Sequence, residues 1–134
     1  VPSQFRSVIA KEDFNGIIAY PSFVHPCVEA CTMSRIEKLT EAIDEMDPYS
    51  DERDAFAASM LGGSEQLQFD KEGRVLLSQE LLEQAELSDK ATFVGKGRAF
   101  EIWNPEHYKD YLHKSREIAK ANRGKLTLAD KNRL

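Results

Sequence analysis

The second half of this chain restates the first. "FDKEGRVLLSQELLEQAEL", Phe69 to Leu87, has the pattern of a strand, a tight turn, a short strand and a helix, and the opening "VPSQFRSVIAKE" matches its rear portion. Val1 aligns with Leu77, Pro2 with Ser78, and Phe5 and Ile9 with Leu81 and Ala85. Each helix is followed by a strand, "GIIAY" or "ATFVG", then a turn, a second strand, "VEAC" or "FEIW", and another helix. Glu29 thereby falls on Glu101 and Cys31 on Trp103. Two copies at a period of roughly 75 residues are too few and too long for a solenoid. The duplication therefore predicts an α+β chain in which the strands of two halves meet about a pseudo-twofold axis. It also makes Val1 begin midway through a unit, so a segment carrying Asp, Gly and Arg in the spacing of Asp70, Gly73 and Arg74 is expected ahead of it.

Local signals divide the chain further. Pro2 suits the first turn of a helix with Phe5 and Ile9 at helical spacing. Thr32 reads as the N-cap of a helix whose stripe is Met33, Ile36, Leu39, Ile43 and Met46, ending before Pro48. Ser50 caps a second helix that stops at Gly62-Gly63, and Ser78 caps a third. Gly95 and Gly97 signal a hairpin, and Pro105 opens a helix with Tyr108, Tyr111, Leu112 and Ile118 on one side. The expected organisation is a first half with its helix over 1–47, a connecting helix over 48–63, a second half with its helix over 64–122, and a flexible tail over 123–134.

With 134 residues, 41% of them apolar, the chain can bury a core. No apolar run reaches the ~18 residues of a membrane span, and Cys27 and Cys31 cannot supply a disulfide framework, so a cytoplasmic protein is expected. The net charge of -5 argues against a uniformly basic nucleic-acid binder. That total hides a segregation. From Glu37 to Asp70 the acidic residues are opposed only by Lys38 and Arg53, whereas Pro105 to Leu134 is rich in lysine and arginine.

The Asp70 to Arg74 turn admits two readings. Mechanically, Gly73 supplies a backbone angle other residues resist, and Asp70 accepts hydrogen bonds from the backbone or from Arg74. Functionally, a rigid turn presents Arg74 to base edges or phosphates, Lys71 adds a phosphate contact, and Glu72 opposes both.

"HPCVEAC" with His107 and His113 raises a metal site, but Cys27 and Cys31 on one strand would lie about 13 Å apart, too far for one tetrahedral ion. A cysteine nucleophile beside His25 lacks a recognisable oxyanion loop. Neither metal, cofactor nor enzymatic activity is expected; the cysteines read as small buried hydrophobes. Phe100, Trp103, Tyr108 and Tyr111 could stack on single-stranded bases, yet their alternation fits core or subunit packing better. The basic helix from Lys109 to Arg123 could steer DNA or meet the acidic 37–70 region of a neighbouring subunit, and the second is favoured.

Asp70, Gly73 and Arg74, followed by Leu77, Ser78 and Leu81 and echoed from Val1 to Arg6, resemble the MraZ family of bacterial transcriptional regulators. The likeness spans nearly the whole chain. Each half in that family carries D-x-K-G-R followed by proline and folds like the swapped-hairpin AbrB domain. "DKEGR" departs from this at Glu72, where the family has lysine, and Ser78 stands where proline is frequent. The first half retains Pro2 and Arg6. The resemblance implies two tandem AbrB-like halves with added helices. It further implies a nucleoid-associated repressor of a division and cell-wall gene cluster including its own gene, bound to double-stranded DNA and assembled as a ring-like homo-oligomer. Arg74, Lys71, Gly73, Arg6 and Gln4 are the implied DNA contacts, with Asp70, Pro2 and Ser78 shaping the motif. The rival reading is a ring-forming protein-interaction module with little DNA contact.

Overall fold

The computed structural model describes residues 1–128; residues 129–134 and the side chain of Val8 lie outside the described residues. Residues 129–134 of the expected tail thus lie outside the described residues, whereas Arg123–Lys125 form a short 3-10 turn.

Among the described residues five strands form one antiparallel sheet: β1 (Gly16–Pro21), β2 (Val28–Cys31), β3 (Glu65–Gln68), β4 (Thr92–Lys96) and β5 (Ala99–Trp103), in the order β3-β1-β2-β5-β4. Helices α1 (Ser3–Ile9) and α4 (Gln79–Gln84) belong to one layer, and α2 (Met33–Asp44), α3 (Asp51–Phe56) and α5 (Pro105–Ala121) complete the set. The mixed, antiparallel α+β class is as expected.

The central strands are covered on both faces, which is why β1 reads as a continuous apolar run rather than an alternation. One face buries Ile17, Ala19, Val28, Ala30, Phe100 and Ile102 with Ile9, Leu81 and Ala85 of or beside α1 and α4. The other face sets Ile18, Tyr20 and Cys31 against Ile36, Ile43 and Met60. Burying one such side chain contributes roughly 1.5–3 kcal/mol, so this two-sided core is what orders the short helices. Trp103 also points to the second face, 1% exposed, stacked on Tyr111 at 4.7 Å. The aromatic cluster is therefore packing and not an open stacking platform.

Caps behave as local chemistry dictates. Thr32, Ser50 and Ser78 each accept a hydrogen bond from the backbone N–H three residues on, at 3.1, 3.2 and 3.3 Å. Pro2 sits just ahead of α1 rather than inside it, and its carbonyl accepts from Phe5 and Arg6. The helix expected over 50–61 continues from α3 into a π-helical turn, Ala57–Leu61, before the glycines. Between β4 and β5 only Gly97 and Arg98 intervene, and the positive φ of 74° at Gly97 suits the tight hairpin.

Residues 74–77 correct one expectation, since they form no strand. Val75 and Leu77 do pack on the first face and Leu76 is 88% exposed, so the alternation is real. What is missing is a ladder partner: β3 is an edge strand that pairs with β1 alone among the described residues. No helix of the described residues is long and apolar enough to cross a membrane.

In the centre of the sheet, Glu29 faces Glu101 across β2 and β5. The short helices cross over. Phe5 of α1 stacks on Phe100 at 4.9 Å and lies against Gly95, while Gln84 of α4 donates to the Ser22 carbonyl at 3.3 Å.

Candidate functional site

The turn after β3 is closed by its own backbone. Phe69 N–H donates to the Asn15 carbonyl at 3.0 Å, Asp70 N–H to Arg74 O at 2.9 Å, and Gly73 N–H to Asp70 O at 3.1 Å. Closing it this tightly places Gly73 at φ 77°, which a side chain resists.

Asp70 organises what the turn presents. Its Oδ1 accepts from the N–H groups of Glu72 and Arg74 at 2.9 and 2.8 Å, and its Oδ2 accepts from Arg74 Nε at 2.7 Å. The Arg74 backbone N–H, and then its side chain, hold the Asp70 carboxyl below its ordinary range. Arg74 Nη2 meets Glu72 Oε2 at 2.7 Å, so two carboxylates share the guanidinium. The side chain is nevertheless 71% exposed, and a guanidinium carries five donors. It can still face a ligand. Both the mechanical and the presenting roles of the turn are compatible with this geometry.

Tertiary packing brings Arg6 to the same place. Val1 N donates to the Gly73 carbonyl at 3.2 Å, Arg6 Nε donates to the Val1 carbonyl at 3.0 Å, and the Arg6 side chain lies against Gly73 so closely that a Cβ there would collide with it. Arg6, Asn15, Asp70, Lys71 and Gly73 line one open cleft. Gln4 does not line it; it is exposed on α1, and its carbonyl accepts from the Ser7 hydroxyl at 3.1 Å. Ser78 lies at the start of α4, donating to Glu65 Oε2 at 2.6 Å. Pro2 acts through its carbonyl at the start of α1. Nothing in residue spacing indicated that Arg6 would cover Gly73.

The cysteines are buried, 0% and 2% exposed. Burial first, and then the Glu101 charge, pushes the Cys27 thiol up to about 12; burial pushes Cys31 up to about 11, with Arg35 opposing. Thiols held protonated in this way are poor nucleophiles and behave as small hydrophobes. Among the described residues, no three His, Cys, Asp or Glu side chains are grouped to hold a metal ion.

One antiparallel sheet, helices on both faces and a capped arginine turn at the sheet edge define the class: a small α+β domain whose candidate site is an exposed, donor-rich surface. Residues 60–128 match the family model for the MraZ protein. Over 132 residues, 98% of this chain and 87% of the relative, the sequence is 51% identical to "Transcriptional regulator MraZ" of Rickettsia bellii (strain OSU 85-389). It is 49% identical, with the same coverage, to the protein of that name from Rickettsia canadensis (strain McKiel). With that of Rickettsia africae (strain ESF-5) it shares 50% over 123 residues, 92% of this chain and 83% of the relative. The chain belongs to the MraZ family.

Proposed function

We propose that this chain is a transcriptional regulator that binds double-stranded DNA sequence-specifically, as a homo-oligomer and without catalysis. The names of its relatives support the regulatory role. The observation that carries the DNA reading is the presentation of Arg74: a turn capped by Asp70 holds an exposed guanidinium, and the same turn lends Asp70, Lys71 and Gly73 to a cleft shared with Arg6. A planar fork on a rigid turn suits bidentate contact with a guanine edge, worth about 1–3 kcal/mol of discrimination. Lys71 and Arg6 then contact phosphates, Gly73 lets the turn close beneath Arg6, and Gln4 contributes from the exposed side of α1.

Two halves, 1–47 and 64–122, joined by 48–63, form the duplicated unit in this reading, supported by the pairing of Glu29 with Glu101. Ring assembly is supported by exposed Tyr49, Leu76 and Ile118 and by charge segregation between the acidic and basic helices. The finer reading is repression of a division and cell-wall gene cluster, including its own gene, by a cytoplasmic, nucleoid-associated protein.

A ring-forming interaction module is the second reading. The capture of Arg74 by Glu72 and the net charge of -5 favour it. Binding to DNA duplexes as a function of salt separates the two. Regulation through DNA requires a log-log slope of about -0.9 per phosphate neutralised and a preference for particular sequences selected from a random pool. Absence of both leaves the interaction module; light scattering tests the assembly common to the two.

A further inference from the structure

We infer that a second cationic cleft, formed by Lys11, Arg35, Lys38 and Arg98, holds phosphates of the DNA backbone and sets how the duplex lies across the protein. This rests on the DNA-binding reading and extends it to a surface outside the arginine turn.

Strand register places the two clefts together. Gly16 at the start of β1 pairs with Gln68 at the end of β3; Cys31 at the end of β2 pairs with both Ile18 and Ala99, and Ala99 pairs with Lys96 at the end of β4. The chain therefore leaves β3 into the Asp70–Arg74 turn, enters β1 from Lys11, leaves β2 toward Arg35 and reverses at Gly97-Arg98 at one and the same end of the sheet. Neighbouring strands lie ~4.8 Å apart, so this end is about 19 Å wide. A duplex offers one negative charge per ~1.7 Å of axis, so over that width the turn and the second cleft meet different phosphates. Helix α1 connects them, with Arg6 lining the first cleft and Lys11, just beyond its C-terminus, lining the second.

Charge and occupancy point to an anion. Lys11, Lys38 and Arg98 are exposed and Arg35 is half-buried. None of the four is ion-paired with a carboxylate of the described residues, unlike Arg74. The only carboxylate lining the cleft among the described residues, Glu12, already behaves as an anion bound there: its Oε1 accepts from Ser34 N–H at 3.0 Å and from Ser34 Oγ at 2.6 Å in the first turn of α2. Phosphate oxygens take the same donors. Glu12 is thus an internal competitor, and its removal should help DNA.

Full-length Lys11→Gln/Lys38→Gln/Arg98→Gln and Glu12→Gln proteins, titrated with a fluorescent mixed-sequence duplex across salt, test this. The triple variant should bind all sequences more weakly, with a log-log slope shallower by about 2–3, while keeping the sequence preference that Arg74→Ala relaxes. Glu12→Gln should bind more tightly than wild type, a gain that misfolding cannot produce. Wild-type affinity and slope in a folded triple variant, or no gain from Glu12→Gln, overturns the inference while leaving the DNA reading intact. Loss of assembly by the triple variant on light scattering also overturns it, since the cleft is then a subunit contact. If the wild-type protein itself shows no salt-dependent binding, the underlying DNA reading is what fails.

Discussion

Glu29 of β2 and Glu101 of β5 stand directly opposite each other in the centre of the sheet, two like charges on facing strands. They are not equally provided for. Glu101 Oε1 accepts from Trp103 Nε1 at 2.8 Å and pairs with Lys96 Nζ at 3.1 Å. Burial first, and then the charge of Glu101, raises the carboxyl of Glu29 above its ordinary range. A raised folded value favours folding fully below the ordinary value of 4.5 and loses that contribution as pH rises through the folded value. Glu29→Gln should therefore stabilise the protein at pH 7 by ~0.5–1 kcal/mol, with the gain shrinking toward pH 4.5. Thermal melts at the two pH values check this; an equal gain at both contradicts it.

Asp70 titrates in the opposite sense. Its depressed carboxyl contributes stability above the ordinary value of 3.8, and that contribution is lost as pH falls through the lower folded value. Asp70→Asn should lower the melting temperature at pH 7 and lose its difference from wild type in acid. It should also weaken DNA binding, although it removes a negative charge, because Arg74 loses the carboxylate that aims it. A gain in affinity would show that net charge outweighs the aim of the guanidinium.

Gly73→Ala combines two penalties: a side chain at φ 77° and a collision with Arg6. The expected cost is ~1–3 kcal/mol by chemical denaturation. Adding Arg6→Ala should recover the collision but not the backbone strain, so the double variant is less destabilised than the sum of the singles. Strict additivity would mean that Arg6 is free to move aside.

Glu72→Lys removes one of the two carboxylates holding Arg74 and adds a cation to the turn. DNA affinity should rise, and the salt slope should steepen by roughly one unit. An unchanged slope would place the turn away from the duplex.

Phe5→Ala removes the ring that stacks on Phe100 and covers Gly95. The loss should be about 2–4 kcal/mol, since Phe5 is only partly buried before truncation. Trp103 is the single tryptophan and is buried, so its fluorescence reports global unfolding directly. A cost below ~1 kcal/mol would mean that α1 does not hold the second pair of strands.

Much of the architecture was legible in the residues themselves, because caps, turns and alternation depend on chain neighbours. Thr32, Ser50 and Ser78 begin helices since each hydroxyl reaches an N–H three residues ahead. Gly97 turns a hairpin through its own backbone freedom, and alternation sends Phe100 and Ile102 to one face and Glu101 and Trp103 to the other. Glu72 lies two residues from Arg74, so its nearness to the guanidinium was readable for the same reason. Register and packing decided the rest. Residues 74–77 carry a strand's alternation yet stay outside the sheet, because a strand exists only where another backbone lies alongside to bond it. Arg6 reaches Gly73, and Lys11 lines one cleft with Arg35, Lys38 and Arg98, because antiparallel pairing returns distant segments to one end of the sheet. No local pattern encodes that convergence, since it is created by long-range hydrogen bonds and a shared apolar core rather than by any stretch of chain alone.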